Sequence, residues 1–239
     1  MENIDCAVTA LSLLSLEPDD LEETYETINT FIKLSKRFYN SDILQRVTRR
    51  FMERGTDNEK ERLTIFLIKR GSLPLIEYLT RNKMLYLNDP VSYAAIYNRL
   101  DILKYLLDYG YPCTSKAINL AADWGNLKIV KFLHKKGCKW TTDAVDWAAE
   151  KGHLDVVKYL IKHGAKCTVD AVNNAAINGY LDVVKYLESK DAPLSFDDYT
   201  VVEEVIKNGY YQIAYNLIDY GYMYTNEVED VLKSKGYIL

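Results

Sequence analysis

Two histidine–cysteine pairs, His134-x-x-x-Cys138 and His163-x-x-x-Cys167, carry the donor types of a structural zinc site, imidazole nitrogen and thiolate sulfur. They are the strongest candidates for chemistry in the chain. The chain repeats with a period of 27 residues, however, and one period beyond Cys138 stands Ala165, while one beyond His134 stands Ile161. The pairs do not occupy equivalent positions, and no metal is expected. No nucleophile elbow, phosphate loop, His-Glu-x-x-His helix or Cys-x-x-Cys pair is present, so neither catalysis nor a cofactor is expected. Four scattered cysteines, Cys6, Cys113, Cys138 and Cys167, are too few for a disulfide framework, and reduced thiols are expected. A Cys113–Cys167 bridge fails on distance. The two lie two units apart, about 20 Å at 8–10 Å per stacked layer, against the roughly 7 Å a bridge tolerates.

The elements that position any site follow from the period. Gly71, Asn98, Gly125, Gly152 and Gly179 stand 27 residues apart, Gly209 follows after 30 and Gly236 after another 27. One three-residue insertion leaves the phase intact. An apolar stripe follows each of the first five markers, as in Leu127-Lys-Ile-Val-Lys-Phe-Leu133 and Leu154-Asp-Val-Val-Lys-Tyr-Leu160. Its spacing predicts one broad face of an outer helix. A shorter segment with paired alanines precedes each marker: Pro90–Ala95, Ala117–Ala122, Ala144–Ala149 and Ala171–Ala176. Methyl side chains let two helices approach closely, so this is the inner helix. Thr114, Thr141, Thr168, Asp198 and Thr225 stand just ahead of these segments as candidate caps, and Gly110, Gly137, Gly164 and Gly221 as left-handed terminators of the outer helices.

The Ala-Ala pairs, the run Gly152-His-Leu-Asp-Val-Val-Lys-Tyr-Leu160 and the closing Gly164-Ala165 resemble the ankyrin-repeat family over roughly residues 59–239. The resemblance implies an all-α, ankyrin-type helical-repeat solenoid. The family's Thr-Pro-Leu-His is replaced by Lys116-Ala-Ile-Asn119, Asp143-Ala-Val-Asp146 and Asp170-Ala-Val-Asn173, so its histidine-centred hydrogen bonds must be rebuilt by Asp or Asn, or lost. Units of 27 residues, against about 33 in the family, predict plain loops instead of projecting hairpins. This short form is similar to repeats of large DNA viruses of amoebae. His153 falls at the family's Gly-His position and His163 in the last turn of an outer helix, both structural placements.

Ankyrin proteins generally bind other proteins on the face lined by inner helices. The resemblance carries that role to the position before each alanine pair, Tyr93, Leu120, Trp147 and Asn174, and to positions just after it, Tyr97, Asp123, Trp124, Glu150 and Asn178. Tyr and Trp anchor interfaces because they bury much area at small entropic cost. The competing reading of Trp124 and Trp147 is that they fill space left by the missing hairpins. Lys104, Lys131, Lys158 and Lys185 read as a solvated ridge, with phosphate binding the lesser reading, and Tyr105, Tyr159 and Tyr186 as scaffold.

Residues 1–57 fall outside the phase and read as three helices, the last through Ile43, Val47 and Phe51. Residues 1–26 hold eight acids and no base; residues 27–57 hold seven bases and three acids. The segment is either a helical cap over the end of the 58–239 solenoid, which has about six full units and a terminal half unit, or a degenerate F-box. Leu14-Ser-Leu-Glu-Pro-Asp-Asp-Leu21 and Leu34-Ser-Lys-Arg-Phe-Tyr39 carry the second resemblance, which implies a Skp1-type adaptor as partner and a role as substrate receptor of a ubiquitin ligase. The largely polar stretch Thr225–Lys235 reads as a C-terminal cap.

A net charge of −4 gives no overall electrostatic case for nucleic acid or anionic membrane, and no apolar run reaches 18 residues. The expected protein is an intracellular, cytoplasmic monomer, in the host cytoplasm if viral, with an unidentified protein partner. No nucleic acid and no membrane partner is expected.

Overall fold

The computed structural model describes residues 42–196 and 199–238, and among them every regular element is a helix. The chain divides into two units, residues 1–112 and 113–239. In the first, α1 (Asp42–Arg54), α2 (Asp57–Arg70), α3 (Leu73–Arg81), α4 (Pro90–Ile96) and α5 (Leu100–Tyr109) are described. In the second lie α6 (Ser115–Asp123), α7 (Leu127–Lys135), α8 (Asp143–Glu150), α9 (Leu154–Lys162), α10 (Val169–Ile177), α11 (Leu181–Glu188), α12 (Thr200–Lys207), α13 (Tyr211–Asp219) and α14 (Asn226–Ser234).

The alanine pairs do what their size allows. Ala121, Ala122, Ala148, Ala149, Ala175 and Ala176 are wholly buried, and in the second unit α6, α8, α10, α12 and α14 pack in sequence as one inner layer. The outer layer is α7, α9, α11 and α13, each packed on the inner helix before it. Val156, Val157 and Leu160 of α9 and their equivalents fill the space between layers. The same plan holds in the first unit, with α2 and α4 inside and α3 and α5 outside. There α1 packs on α3, the place of an outer helix in a preceding repeat. Its position 44 is Leu where the phase would put a marker glycine, which is why the period does not reveal it.

The marker residues have a second reason to be glycine. At Gly125 φ is +67° and a side chain would fall 2.6 Å from the His153 ring; at Gly152 φ is +74° and it would enter the Tyr180 ring. Gly125, Gly152 and Gly179 thus supply both the left-handed turn between inner and outer helix and the bare surface on which the next repeat lays the residue just ahead of its own outer helix. Gly110, Gly137, Gly164 and Gly221 also take positive φ, as expected of helix terminators.

Two of the predicted caps act as such. Thr114 accepts from Ala117 N at 3.2 Å and Thr168 from Asp170 N at 3.2 Å. Thr225 makes no capping bond, and at α8 the N-cap position falls on Thr142, whose side chain makes none either, while Thr141 is bonded to the preceding repeat. Asp198 and the two earlier predicted N-terminal helices lie outside the described residues, as do both F-box-like stretches.

That preceding-repeat bond answers the question left by the missing histidines. Asn119 Nδ2 donates to Thr141 Oγ1 at 2.6 Å while Thr141 N donates to Asn119 Oδ1 at 3.2 Å. One repeat on, Thr168 donates to both oxygens of Asp146, from N at 2.9 Å and from Oγ1 at 3.0 Å. Asn173 accepts from the buried Tyr222 hydroxyl at 2.9 Å. The bonds are rebuilt by Asn and Asp, each buried at one inner-helix position and reaching toward the loops of later repeats.

The expectation of reduced thiols is corrected at one pair. The structure joins Cys113 and Cys138 in a disulfide, with Cα atoms 5.6 Å apart. They sit in consecutive inter-repeat loops, and stacking brings neighbouring loops within the Cα range a bridge requires. Cys167 is free and half-buried.

Candidate functional site

Within the second unit the inner helices place the predicted residues along one face. Leu120 and Asp123 of α6 are half-buried, and Trp124, the residue capping its C-terminus, is 56% exposed. One repeat on, Trp147 of α8 is 37% exposed, and Glu150 is half-buried with Oε1 accepting from Lys151 Nζ at 2.7 Å. Asn174 of α10 is half-buried and Asn178 exposed. Trp124 thus leaves more than half of its surface in water, and Trp147 leaves a third while the rest is covered by its neighbours.

The acids of this face feel one another. Burial raises the Asp123 carboxyl above its ordinary value; Lys151 opposes this and the Glu150 carboxylate adds to it. A cation arriving beside Asp123 would relieve both effects. Asn178 is less free than its exposure suggests, because its Nδ2 donates to Asn174 O at 2.9 Å and to Glu150 O at 3.3 Å, tying α10 to α8. In the first unit Tyr93 and Tyr97 are half-buried, and Lys69 Nζ lies 5.6 Å from the centre of the Tyr97 ring.

Spacing alone missed a second cluster, on the outer layer. His134 Nδ1 lies 2.8 Å from the Tyr159 hydroxyl, and its ring stands 4.4 Å from Trp140 and 5.2 Å from His163. A pocket of about 400 Å³ opens here, lined by His134, Gly137, Cys138, Lys139 and Trp140. Burial, then the neighbouring His163, holds the His134 ring below the ordinary histidine range. The only sequence signal was the near-repeat spacing of the aromatic and histidine residues. The four-residue His/Cys set considered for zinc is divided by the Cys113–Cys138 bond, and among the described residues no three His, Cys, Asp or Glu side chains converge as a metal site.

The lysine ridge is partly stitched to the scaffold. Lys131 Nζ sits 5.5 Å from the Tyr159 ring centre and Lys158 Nζ 5.6 Å from that of Tyr186, each reaching the next repeat.

Stacked helix pairs, glycine-opened turns and loops in place of hairpins decide the fold. Residues 91–134 and 145–188 match the family model of ankyrin repeats in many copies. No curated protein matches the chain. Over those two stretches the chain is similar to ankyrin repeats, which generally mediate protein–protein interaction. No helix among the described residues is long and apolar enough to cross a membrane.

Proposed function

We propose that the chain is a non-catalytic scaffold that binds a partner protein on the inner-helix face of its ankyrin repeats. Trp124 and Trp147 serve as anchors, with Asp123 and Glu150 as the charged surround. The observation that carries this reading is the exposure of two tryptophans, 56% and 37%, in consecutive repeats. Large aromatic side chains left in water on a rigid surface lose little conformational entropy when covered, which favours binding over exposure. Leu120 and Asn174 extend the same face on either side, and Tyr93 and Tyr97 hold the equivalent positions in the first unit. The protein acts as a cytoplasmic monomer.

Affinity capture from host-cell lysate, run with the wild-type chain and with Trp124→Ala/Trp147→Ala, tests it. The double variant loses the captured partners while its thermal midpoint falls by only a few degrees. Unchanged capture, or a collapse in stability, would overturn the reading. Capture of a Skp1-type adaptor by both proteins alike would point instead to the substrate-receptor role.

A further inference from the structure

The inner-helix face leaves unexplained an uneven distribution of charge. Residues 127–140 contain five lysines and no acid, and residues 158–167 three lysines and no acid, in a chain whose net charge is −4. In the fold both stretches come to one place, because α9 packs on α7 and the turns that follow the two helices lie side by side. Lys135, Lys139, Lys162 and Lys166 are exposed there, and among the described residues no carboxylate lies within ion-pair distance of any of them. Between them stand Trp140, His134 and Tyr159, with the 400 Å³ pocket open beside the Trp140 ring.

We propose that this edge, the C-terminal ends of α7 and α9 with their following turns, is a second docking surface, and that it takes an acidic peptide segment of a partner protein. Three features select that class. The cations are spread along two repeats, which suits an extended chain with several carboxylates better than one compact anion. The helix ends here present carbonyl groups and no free N–H donors, so no backbone cradle for a phosphate exists. The second unit contains no arginine at all, and therefore none of the planar forks that grip phosphate oxygens in pairs, whereas lysine serves a carboxylate as a mobile point charge. The pocket beside Trp140 has the size to receive one apolar side chain of such a peptide. The complementary potential steers the encounter and the pocket fixes the register.

A fluorescein-labelled twelve-residue peptide of repeating Glu-Glu-Leu tests this by anisotropy with the full chain, at about 50 mM and 200 mM salt. Binding is expected, and it weakens at the higher salt. Lys135→Glu/Lys162→Glu weakens it at least tenfold. Lys116→Glu/Lys207→Glu, which changes net charge equally at exposed lysines off the edge, leaves it within about twofold, as does Trp124→Ala/Trp147→Ala. Circular dichroism melts of all three variants confirm that they fold. Equal weakening by both lysine pairs would reduce the effect to bulk charge and overturn the proposal, as would failure of the peptide to bind. A twelve-residue oligothymidylate that binds more tightly than the peptide would overturn it in favour of nucleic acid. Self-association abolished by Lys135→Glu/Lys162→Glu would overturn it in favour of a second copy.

Discussion

Glu188 ends α11 with 8% of its surface exposed, and neither carboxylate oxygen has a hydrogen bond of good geometry. Burial pushes its carboxyl up to about 8 from 4.5; the Tyr220 side chain and the Lys185 charge pull in the other direction and do not prevail. Because the folded chain holds this proton more tightly than the unfolded chain, the group's contribution to stability is complete below about pH 4.5. It disappears as pH rises through about 8. Glu188→Gln, which keeps the shape without the charge, removes that loss. Urea unfolding of wild type and variant at pH 5 and pH 8 should show the variant gaining on the order of 2 kcal/mol relative to wild type at the higher pH. A difference independent of pH would mean that the carboxylate reaches water.

At the scale of the element, one buried polar side chain of an inner helix bonds to the threonine ahead of the next inner helix. Asp146 is buried, and burial raises its carboxyl; the Thr168 N–H and hydroxyl, donating to it, lower it. The equivalent residue one repeat earlier is Asn119, which makes the same two-point contact with Thr141 by donating where Asp146 accepts. A threonine hydroxyl can take either part. Asp146→Asn should therefore be tolerated, within about 1 kcal/mol. Asp146→Ala leaves the Thr168 N–H and hydroxyl without their partner and should cost about 2–3 kcal/mol. Denaturant unfolding of the two variants separates a hydrogen-bonding role, which asparagine rescues, from one that needs the charge.

The helices of the repeats were legible in the sequence because repetition multiplies a weak signal: a single Gly-x-Leu is uninformative, and the same spacing in phase through Gly71, Gly125, Gly152 and Gly179 fixes turn, helix start and stripe together. The inner-helix face was legible for the same reason, since Trp147 and Glu150 stand one period after Leu120 and Asp123. What the period could not show are contacts between residues that are not equivalent. Cys113 meets Cys138 after 25 residues and His134 meets Tyr159 after 25, because bond reach and not register decides them. α1 was hidden as a repeat element because it lacks the marker glycine while keeping the packing.

For the molecule as a whole, a stack of repeats is a row of nearest-neighbour interfaces, and the cost of a lesion depends on how many interfaces it touches. Leu160 and Leu232 are both wholly buried leucines. Leu160 belongs to α9, which packs between α7 and α11, whereas Leu232 belongs to α14, which packs chiefly on α12. Truncating either to alanine removes the same atoms, at roughly 2–5 kcal/mol for a core site. The consequences should nevertheless differ. Leu160→Ala weakens two outer-layer interfaces and the helix pair α8–α9 together, so amide hydrogen exchange should accelerate throughout the second unit and its main unfolding transition should shift. Leu232→Ala lets the terminal helix open by itself, so acceleration should be confined to α14 and the adjoining face of α12, with the main transition nearly unmoved. Acceleration spread evenly through the second unit in the Leu232 variant would show that its repeats open as a single block and not from the end.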